Sequence, residues 1–428
     1  MREMKDSGIE WIGQIPKGWK LRRAKTLFTQ RNSKGNGTEV LLSPTQKYGV
    51  VPQSQLEGVV QVKEDTDIQM FKTVHKGDFV ISLRSFQGGF EYSLYEGVCS
   101  PAYQVFYPTS PICDTYYRYL FKSQSFISKM NNLTVGIREG KNIQYVDFAN
   151  SQIPVPPLAE QERIAAFLDA ECAEIDAVSE KTRASIEEYK KLKQAVITQA
   201  VTKGIRGDRP MKDSGIEWIG DIPKEWDCKK VKYVTSISRG IFNHRPRNDE
   251  RYYGGEYPFI QTGDVAGAQK YIESYSQTLN ELGKSVSKCF PKGTLTMTIA
   301  ANVGDAAILG FDAFFPDSVV GFIPNADIND EYLYYIFKAM KPEFVRTAIK
   351  STQLNLNVER IRDLFVPVVV QKSEQLEIAE YLNTKCADID ALIAKKQQYL
   401  TEIENYKKSL IYEYVTGKKE VKTSVLAD

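Results

Sequence analysis

Two histidines and six cysteines in 428 residues leave little from which to build a metal centre, and Cys99, Cys113, Cys172, Cys228, Cys289 and Cys386 stand singly, with no CxxC pair. Neither a zinc site nor a disulfide framework is indicated, and free thiols are expected. No run of about 18 apolar residues exists to span a bilayer. The opening MREMKDSGIEW lacks the apolar stretch of a secretory signal, which makes the cytoplasm the expected compartment. Charge of one sign is scarce too: 56 Lys and Arg against 54 Asp and Glu leave +2. Contacts to a polyanion would therefore depend on where the cations lie, not on their number.

Catalytic signatures are also missing. The double proline Pro156-Pro157 is followed by Leu158 in a linker, so the Asp/Asn-Pro-Pro-aromatic loop of an amino-methyltransferase is absent, and no glycine-rich cofactor loop follows a strand. GIREGKN (136–142) and TLNELGKS (278–285) each lack part of the phosphate-binding GxxxxGK[ST] loop. Asp317, or Glu188 with Lys190, makes no recognisable nuclease cluster. With His75 in a VHKGD turn and His244 in a basic loop, no Ser-His-Asp triad is supported.

What the chain does have is a repeat. Residues 4–17 (MKDSGIEWIGQIPK) and 211–224 (MKDSGIEWIGDIPK) agree at thirteen of fourteen positions, 207 apart. Trp19 answers Trp226, and basic residues keep step beyond it: Arg22 with Lys229, Arg23 with Lys230, Lys25 with Lys232. A second pair, EQERIAAFLDAECAEIDAV from Glu160 and EQLEIAEYLNTKCADIDAL from Glu374, aligns without a gap at an offset of 214. Because the catalytic look of Asp6, Ser7 and Glu10 comes in a segment copied intact between otherwise divergent domains, a shared packing element is the simpler explanation. Gly8 and Gly13 would make turns, and Trp11 and Trp19 would be buried anchors.

The second pair opens long helices. Heptad seams run from Ile164 through Glu171, Val178, Ser185 and Leu192 to Gln199, and from Ile378 through Leu392, Tyr399 and Tyr406 to Glu413. Each pattern lasts about 40 residues without proline, roughly 60 Å of helix. The linkers IPVPPLAEQ (153–161) and VPVVVQKSEQ (366–375) set the starts, Glu160 and Glu374 suit the first turn, and Gly204 and Gly417 follow the last turns. Such helices need a partner to cover their seams. Like halves in the order domain, helix, domain, helix predict a pseudo-two-fold, antiparallel pair with a globular domain at each end, and residues 4–20 docked beside the end of the second helix.

The expected fold is α+β: two mixed α/β domains separated by two long antiparallel coiled-coil helices. The expected segments are domain 1 (1–157), helix 1 (158–205), domain 2 (206–371), helix 2 (372–418) and a tail (419–428). Runs such as DFVISL, EGVCSPAYQVFY, YPFIQTG and GTLTMTIA predict strands, and 115–130 and 330–349 predict helices.

The DSGIEWIG-x-IP opening, the EQ-x-x-I helix start after a linker, and the AVTKG or YVTGK helix end each occur twice and in this order. With IREGKNIQYVDFANSQIPVP in the first domain and QTGDV, PKGTLTMT and STQLNLNVERIRDLFVPV in the second, the chain resembles the specificity subunit of Type I restriction-modification systems over nearly its whole length. The departure is Val368-Val369-Val370 where the first linker has prolines. The resemblance implies target-recognition domains and a non-catalytic subunit, one copy per complex, that binds double-stranded DNA. Each domain would read one half of a split, asymmetric target. The subunit would join two adenine methyltransferase subunits and the restriction subunits, with S-adenosylmethionine, ATP and magnesium confined to those partners. The rod's length would then set the number of unread bases between the halves.

Base-edge chemistry ranks the DNA candidates, since arginine and lysine forks suit guanine, asparagine and glutamine amides suit adenine, and phosphates accept any cation. In the first domain these are Arg84, Gln87, Arg138, Lys141 and Asn142. In the second, the loop SRGIFNHRPRNDER supplies Arg239, Arg245, Arg247 and Arg251, and Gln261, Asn302, Gln353 and Asn355 supply amides. Arg22, Arg23, Lys25, Lys229, Lys230 and Lys232 suit phosphates. Apolar residues on the helix flanks, namely Phe167, Ile197, Tyr381, Ile393, Ile411 and Tyr414, are the candidates for methyltransferase contact. Two readings of other kinds are a coiled-coil scaffold for proteins, which would select no DNA sequence, and an enzyme fused to a recognition domain, which would methylate DNA alone.

Overall fold

The computed structural model describes residues 2–37, 39–56, 68–82, 89–133, 143–300, 302–350 and 354–422. The chain divides into two compact units, one made of Met1–Thr182 with Gln398–Asp428, the other of Arg183–Gln397. Both boundaries fall inside the long helices, Leu158–Lys203 and Lys372–Val415. Each unit thus holds one globular domain, half of one long helix and half of the other.

The two units are built on the same frame. The copied segment forms a hairpin, Met4–Asp6 with Gln14–Pro16 in the first and Met211–Asp213 with Asp221–Pro223 in the second. Its turns need glycine, because Gly8, Gly13, Gly215 and Gly220 all have φ between 65° and 69°. Next comes a strand that pairs with the one leading into the long helix: Lys20–Arg23 with Gln152–Val155, and Asp227–Lys230 with Phe365–Val368. Trp19 and Trp226 are fully buried, whereas Trp11 is only half-buried, edge-on against Phe126. The Trp19 indole N–H donates to Glu160 Oε2 (3.0 Å), and Arg2 meets the other oxygen (2.5 Å) while lying over the indole. Trp226, Glu374 and Arg209 repeat that clasp in the second unit. The first-turn glutamates therefore do more than complement a helix dipole: they lock each long helix to its frame.

Inside the frames the domains differ. In the first unit a four-stranded antiparallel sheet runs in the order Phe28–Arg31, Gln104–Pro108, Phe79–Ile81, Phe90–Tyr92. It packs through Phe28, Phe79, Phe90 and Phe106 on Phe121 and Phe148. The second unit has a five-stranded sheet, ordered Thr235–Arg239, Val319–Pro324, Leu295–Thr298, Ala306–Leu309, Tyr271–Ile272. A four-stranded sheet accompanies it, in the order Gln277–Leu279, Tyr253–Phe259, Ala313–Phe314, Cys289–Phe290. The two helices expected after the sheets each come as two pieces, Asp114–Lys122 with Gln124–Leu133, and Asp330–Ala339 with Lys341–Thr347. Pro342, lacking an N–H, forces the second break. At the first, the Ser123 hydroxyl takes the Leu120 carbonyl.

In the first unit the Phe167 and Tyr414 rings pack tilted at 4.5 Å and Asp176 pairs with Lys407 (2.6 Å), so the helix halves run antiparallel. In the second, Lys193 pairs with Asp390 (2.6 Å) and Lys396 lies over the Tyr189 ring, again antiparallel. Half of each expected seam is displaced by one residue. Cys172, Ser179 and Ile186 are buried where Glu171, Val178 and Ser185 were expected, and Cys386, Ile393 and Leu400 lie deeper than Lys385, Leu392 and Tyr399. Both choices preserve a heptad, but only the observed one puts Cys172, Ile186, Cys386 and Leu400 inside. As a result Leu192, Leu392, Tyr399 and Tyr406 are 41–56% exposed.

That displacement corrects the flank candidates. Phe167 and Ile197 are buried in the cores of their own units, and Ile411 and Tyr414 pack against the first of these cores, so these four are not free apolar surface. Ile393 is half-buried, and Tyr381 alone of the six is exposed.

Glu91, 1% exposed, is bound by Lys122 at 2.6 Å through Oε1, while its Oε2 has no partner among the described residues. Burial pushes its carboxyl up to about 7, against the pull of Lys122. Since the folded value lies above the ordinary 4.5, this group favours the folded first unit below pH 4.5, and that contribution is lost as pH rises through 7. Glu91→Gln is therefore expected to raise the melting temperature above pH 7 and to converge on the parent below pH 5. Equal shifts at both pH values would contradict this.

Candidate nucleic-acid interface

In the second unit the loop candidates gather at one end of the five-stranded sheet. Arg239 closes its strand opposite Val320, and Val319 opposes Thr298 in the next strand. The turn after Thr298 carries Asn302, exposed, its carbonyl taken by the Thr298 hydroxyl. Leu356 N donates to Ile299 O at 2.9 Å, which brings the backbone of Asn355 alongside. The Asn355 side chain and Gln353 lie outside the described residues, as do Arg84, Gln87, Arg138, Lys141 and Asn142.

Gly240 lets the basic loop leave the sheet, because a Cβ there would lie 2.3 Å from the Pro316 carbonyl and 2.4 Å from that of Phe315. Beyond it the arginines converge on Asp317. Arg239 Nε donates to its carbonyl, and Arg247 and Arg245 (Nη2–Oδ2 3.5 Å) meet its carboxylate. Arg245 Nη1 also donates to the carbonyls of Phe242 and His244, both at 2.8 Å. His244 stacks on Tyr252 and sits 3.0 Å from Asp249 Oδ2, which also receives Arg251. The Arg251 hydrogen bond holds the Asp249 carboxyl well below the usual carboxylate range. Arg245 and Arg247 stay about half exposed. Exposed ion pairs contribute about 0–1 kcal/mol, so a phosphate can take the place of Asp317. Glu188 pairs with Lys191, and Lys190 with Glu187, as exposed ion pairs one turn apart on the helix.

Gln261 belongs to the same region. Phe259 and Phe314 face each other where their parallel strands end, and Gln261 follows two residues after the first as Asp317 follows three after the second. Its Nε2 donates to Gln277 Oε1 at 2.8 Å and its backbone N–H to Asp264 Oδ2 at 2.7 Å.

The basic strand stretches match in sequence and differ in charge. Arg22, Arg23 and Lys25 are exposed and in no ion pair among the described residues. Lys229 is exposed, but Lys230 (3.2 Å) and Lys232 (2.8 Å) share Asp363 Oδ1, and the Lys232 hydrogen bond lowers that carboxyl. Asp363 ends the short helix Val358–Asp363 where the corresponding helix of the first unit, Tyr145–Asn150, ends in an amide. One carboxylate thus screens a cationic strand in one copy and not in the other.

The family model for the Type I restriction modification DNA specificity domain matches residues 16–188 and again 223–405. The chain belongs to this family. It is a non-catalytic specificity subunit of a Type I restriction-modification system, with two target-recognition domains. Similar to this specificity subunit is the putative type I restriction enzyme MjaX specificity subunit of Methanocaldococcus jannaschii, 23% identical over 436 residues and 96% of each chain. The type I restriction enzyme MjaIX specificity subunit of the same organism is 30% identical over 187 residues, which are 42% of this chain and 41% of that one. A solved chain from work on complex assembly and conformational transition of the type I R-M system superposes with a TM-score of 0.73, covering 95% of this chain and 99% of its own. At 16% identity, that likeness speaks to fold.

Reasoning from sequence weighed Asp317 only as a nuclease acid and missed Asp363 and Gln277. Both acids take their partners from a distant strand and the loop or helix that follows it. Gln277 lies in a polar stretch, SYSQT, with no pattern of its own. Among the described residues no helix of the specificity subunit is long and apolar enough to cross a membrane.

Proposed function

We propose that this specificity subunit reads a bipartite, asymmetric DNA target, one half through each target-recognition domain. In the same reading a single copy carries two adenine-N6 methyltransferase subunits and the restriction and motor subunits, in the cytoplasm. S-adenosylmethionine, ATP and magnesium then belong to those partners. The observation that carries the reading is the pairing of one frame with two interiors. Hairpin, strand pair and tryptophan clasp recur, whereas one domain holds a five-stranded sheet, a second four-stranded sheet and the Arg239–Arg251 loop, and the other a four-stranded sheet with two-stranded pairs. A shared frame suits shared partners, and different loops suit different words. The exposed Leu192, Tyr399 and Tyr406, with Tyr381, are better suited to contact a methyltransferase than Phe167 or Ile197.

Exchanging residues 206–371 for the matching domain of a relative tests the reading. Sequencing of methylated adenines in a host carrying the exchanged system should show one half of the target altered and the other kept. Change in both halves would contradict independent reading.

A further inference from the structure

Gln277 opens the edge strand Gln277–Leu279, opposite Phe259, and its side-chain oxygen accepts from Gln261 Nε2 at 2.8 Å. Gln261 is itself fixed, because its backbone N–H is held by Asp264, whose carboxylate also takes the Ser276 hydroxyl (3.2 Å). The contact therefore orients the Gln277 amide instead of satisfying it: among the described residues one lone pair of Oε1 and both N–H groups remain. An oxygen and an N–H side by side, half-exposed and held in place, are what adenine N6 and N7 require in the major groove. The place suits DNA as well. Phe242, whose carbonyl holds Arg245, packs its ring on Phe259, the residue facing Gln277.

A second observation points outward from the same spot. Gly263 lies in the first turn of the helix Thr262–Gly267, yet it has no left-handed φ, and a Cβ on it would meet nothing within 4 Å. Neither backbone nor packing calls for glycine there, and glycine weakens a helix relative to alanine. A surface approaching this backbone from outside would account for it.

We infer that Gln277, buttressed by Gln261, reads an adenine in the half-target of the second domain, with Gly263 kept bare for the approach of that DNA. The inference rests on the proposed function and names one letter of its target. Gln277 is the contact, and Gln261 is a positioning residue.

Selection of the full-length chain on a pool of random duplexes, followed by sequencing, tests it. Gln277→Ala should remove the preference for adenine at one base pair of one half-target, on the order of a ten- to hundredfold loss of discrimination, and leave the other half intact. Gln277→Glu, which keeps the volume but loses the donors, should also abandon adenine at that position. Gln261→Ala should weaken the preference at the same base pair, whereas a merely structural role would lower binding to every sequence alike. Gly263→Ala should melt no lower than the parent and bind its target more weakly. If the parent selects two words and Gln277→Ala selects the same ones, this inference fails and the proposed function stands. If the parent selects no sequence, the proposed function itself fails. Unchanged binding by Gly263→Ala would overturn the close approach.

Discussion

Trp226→Ala is expected to destabilise the second unit by about 3–5 kcal/mol, the range for removing a fully buried aromatic. Trp226 is 1% exposed, touches the last turn of the first long helix near Gly204, and donates to Glu374 at 3.4 Å. Its loss would leave a cavity where hairpin, strand pair and both helix halves meet, and would strip one partner from Glu374, 3% exposed. For a unit of this size the change corresponds to a fall of roughly 6–20 °C in melting temperature. Calorimetry on the full chain should show it, with hydrogen exchange rising first around 205–235 and 372–380. Trp226→Phe, which keeps most of the volume, should recover much of the loss. A fall below about 2 °C for the alanine variant would mean that the clasp is not the junction described.

The second large effect is on DNA. Replacing Arg245 and Arg247 together by alanine should weaken binding to all sequences and flatten the logarithmic salt dependence by about 1.8, or 0.9 for each phosphate contact. At 0.15 M salt that is on the order of thirtyfold in affinity. The fold should barely notice, since both arginines are half-exposed and their shared ion pair with Asp317 is replaceable. Fluorescence anisotropy at several salt concentrations separates the possibilities. An unchanged slope with a lost half-target would make these arginines readers of bases, and an unchanged slope and affinity would remove the loop from the interface.

Much of this was legible because it repeats or obeys local rules. Gly204 and Gly417, expected to end the long helices, do so at φ of 76° and 70°. At Gly417 a Cβ would also sit 2.6 Å from Pro16, so the glycine doubles as the seat for the copied hairpin. The half-seam was not legible. Steps of three and four residues from Leu382 reach either Lys385 and Leu392 or Cys386 and Ile393, both sets mixed in polarity, and only the partner helix decides between them. The candidate interface was legible only as a choice of residues. Arginines in a glycine-led loop could be singled out, but Asp317 reaches them from a turn some seventy residues on, and Gln277 acquires meaning only from Gln261, just past the end of the neighbouring strand.

The first unit is discontinuous in the chain: its core holds Leu410 and Val415, and the buried Tyr116 donates to the Val415 carbonyl at 2.7 Å, 299 residues away. During synthesis the second unit, an unbroken segment, is complete before the first can close. At about 5–20 residues per second the earlier domain waits roughly ten to forty seconds for its last helix half. Until then the leading half of the first long helix lacks its partner helix, so the Phe167 face that later meets Tyr414 is open to chaperones or to another nascent chain. The order of folding on the ribosome is thus the reverse of the order of domains in the sequence.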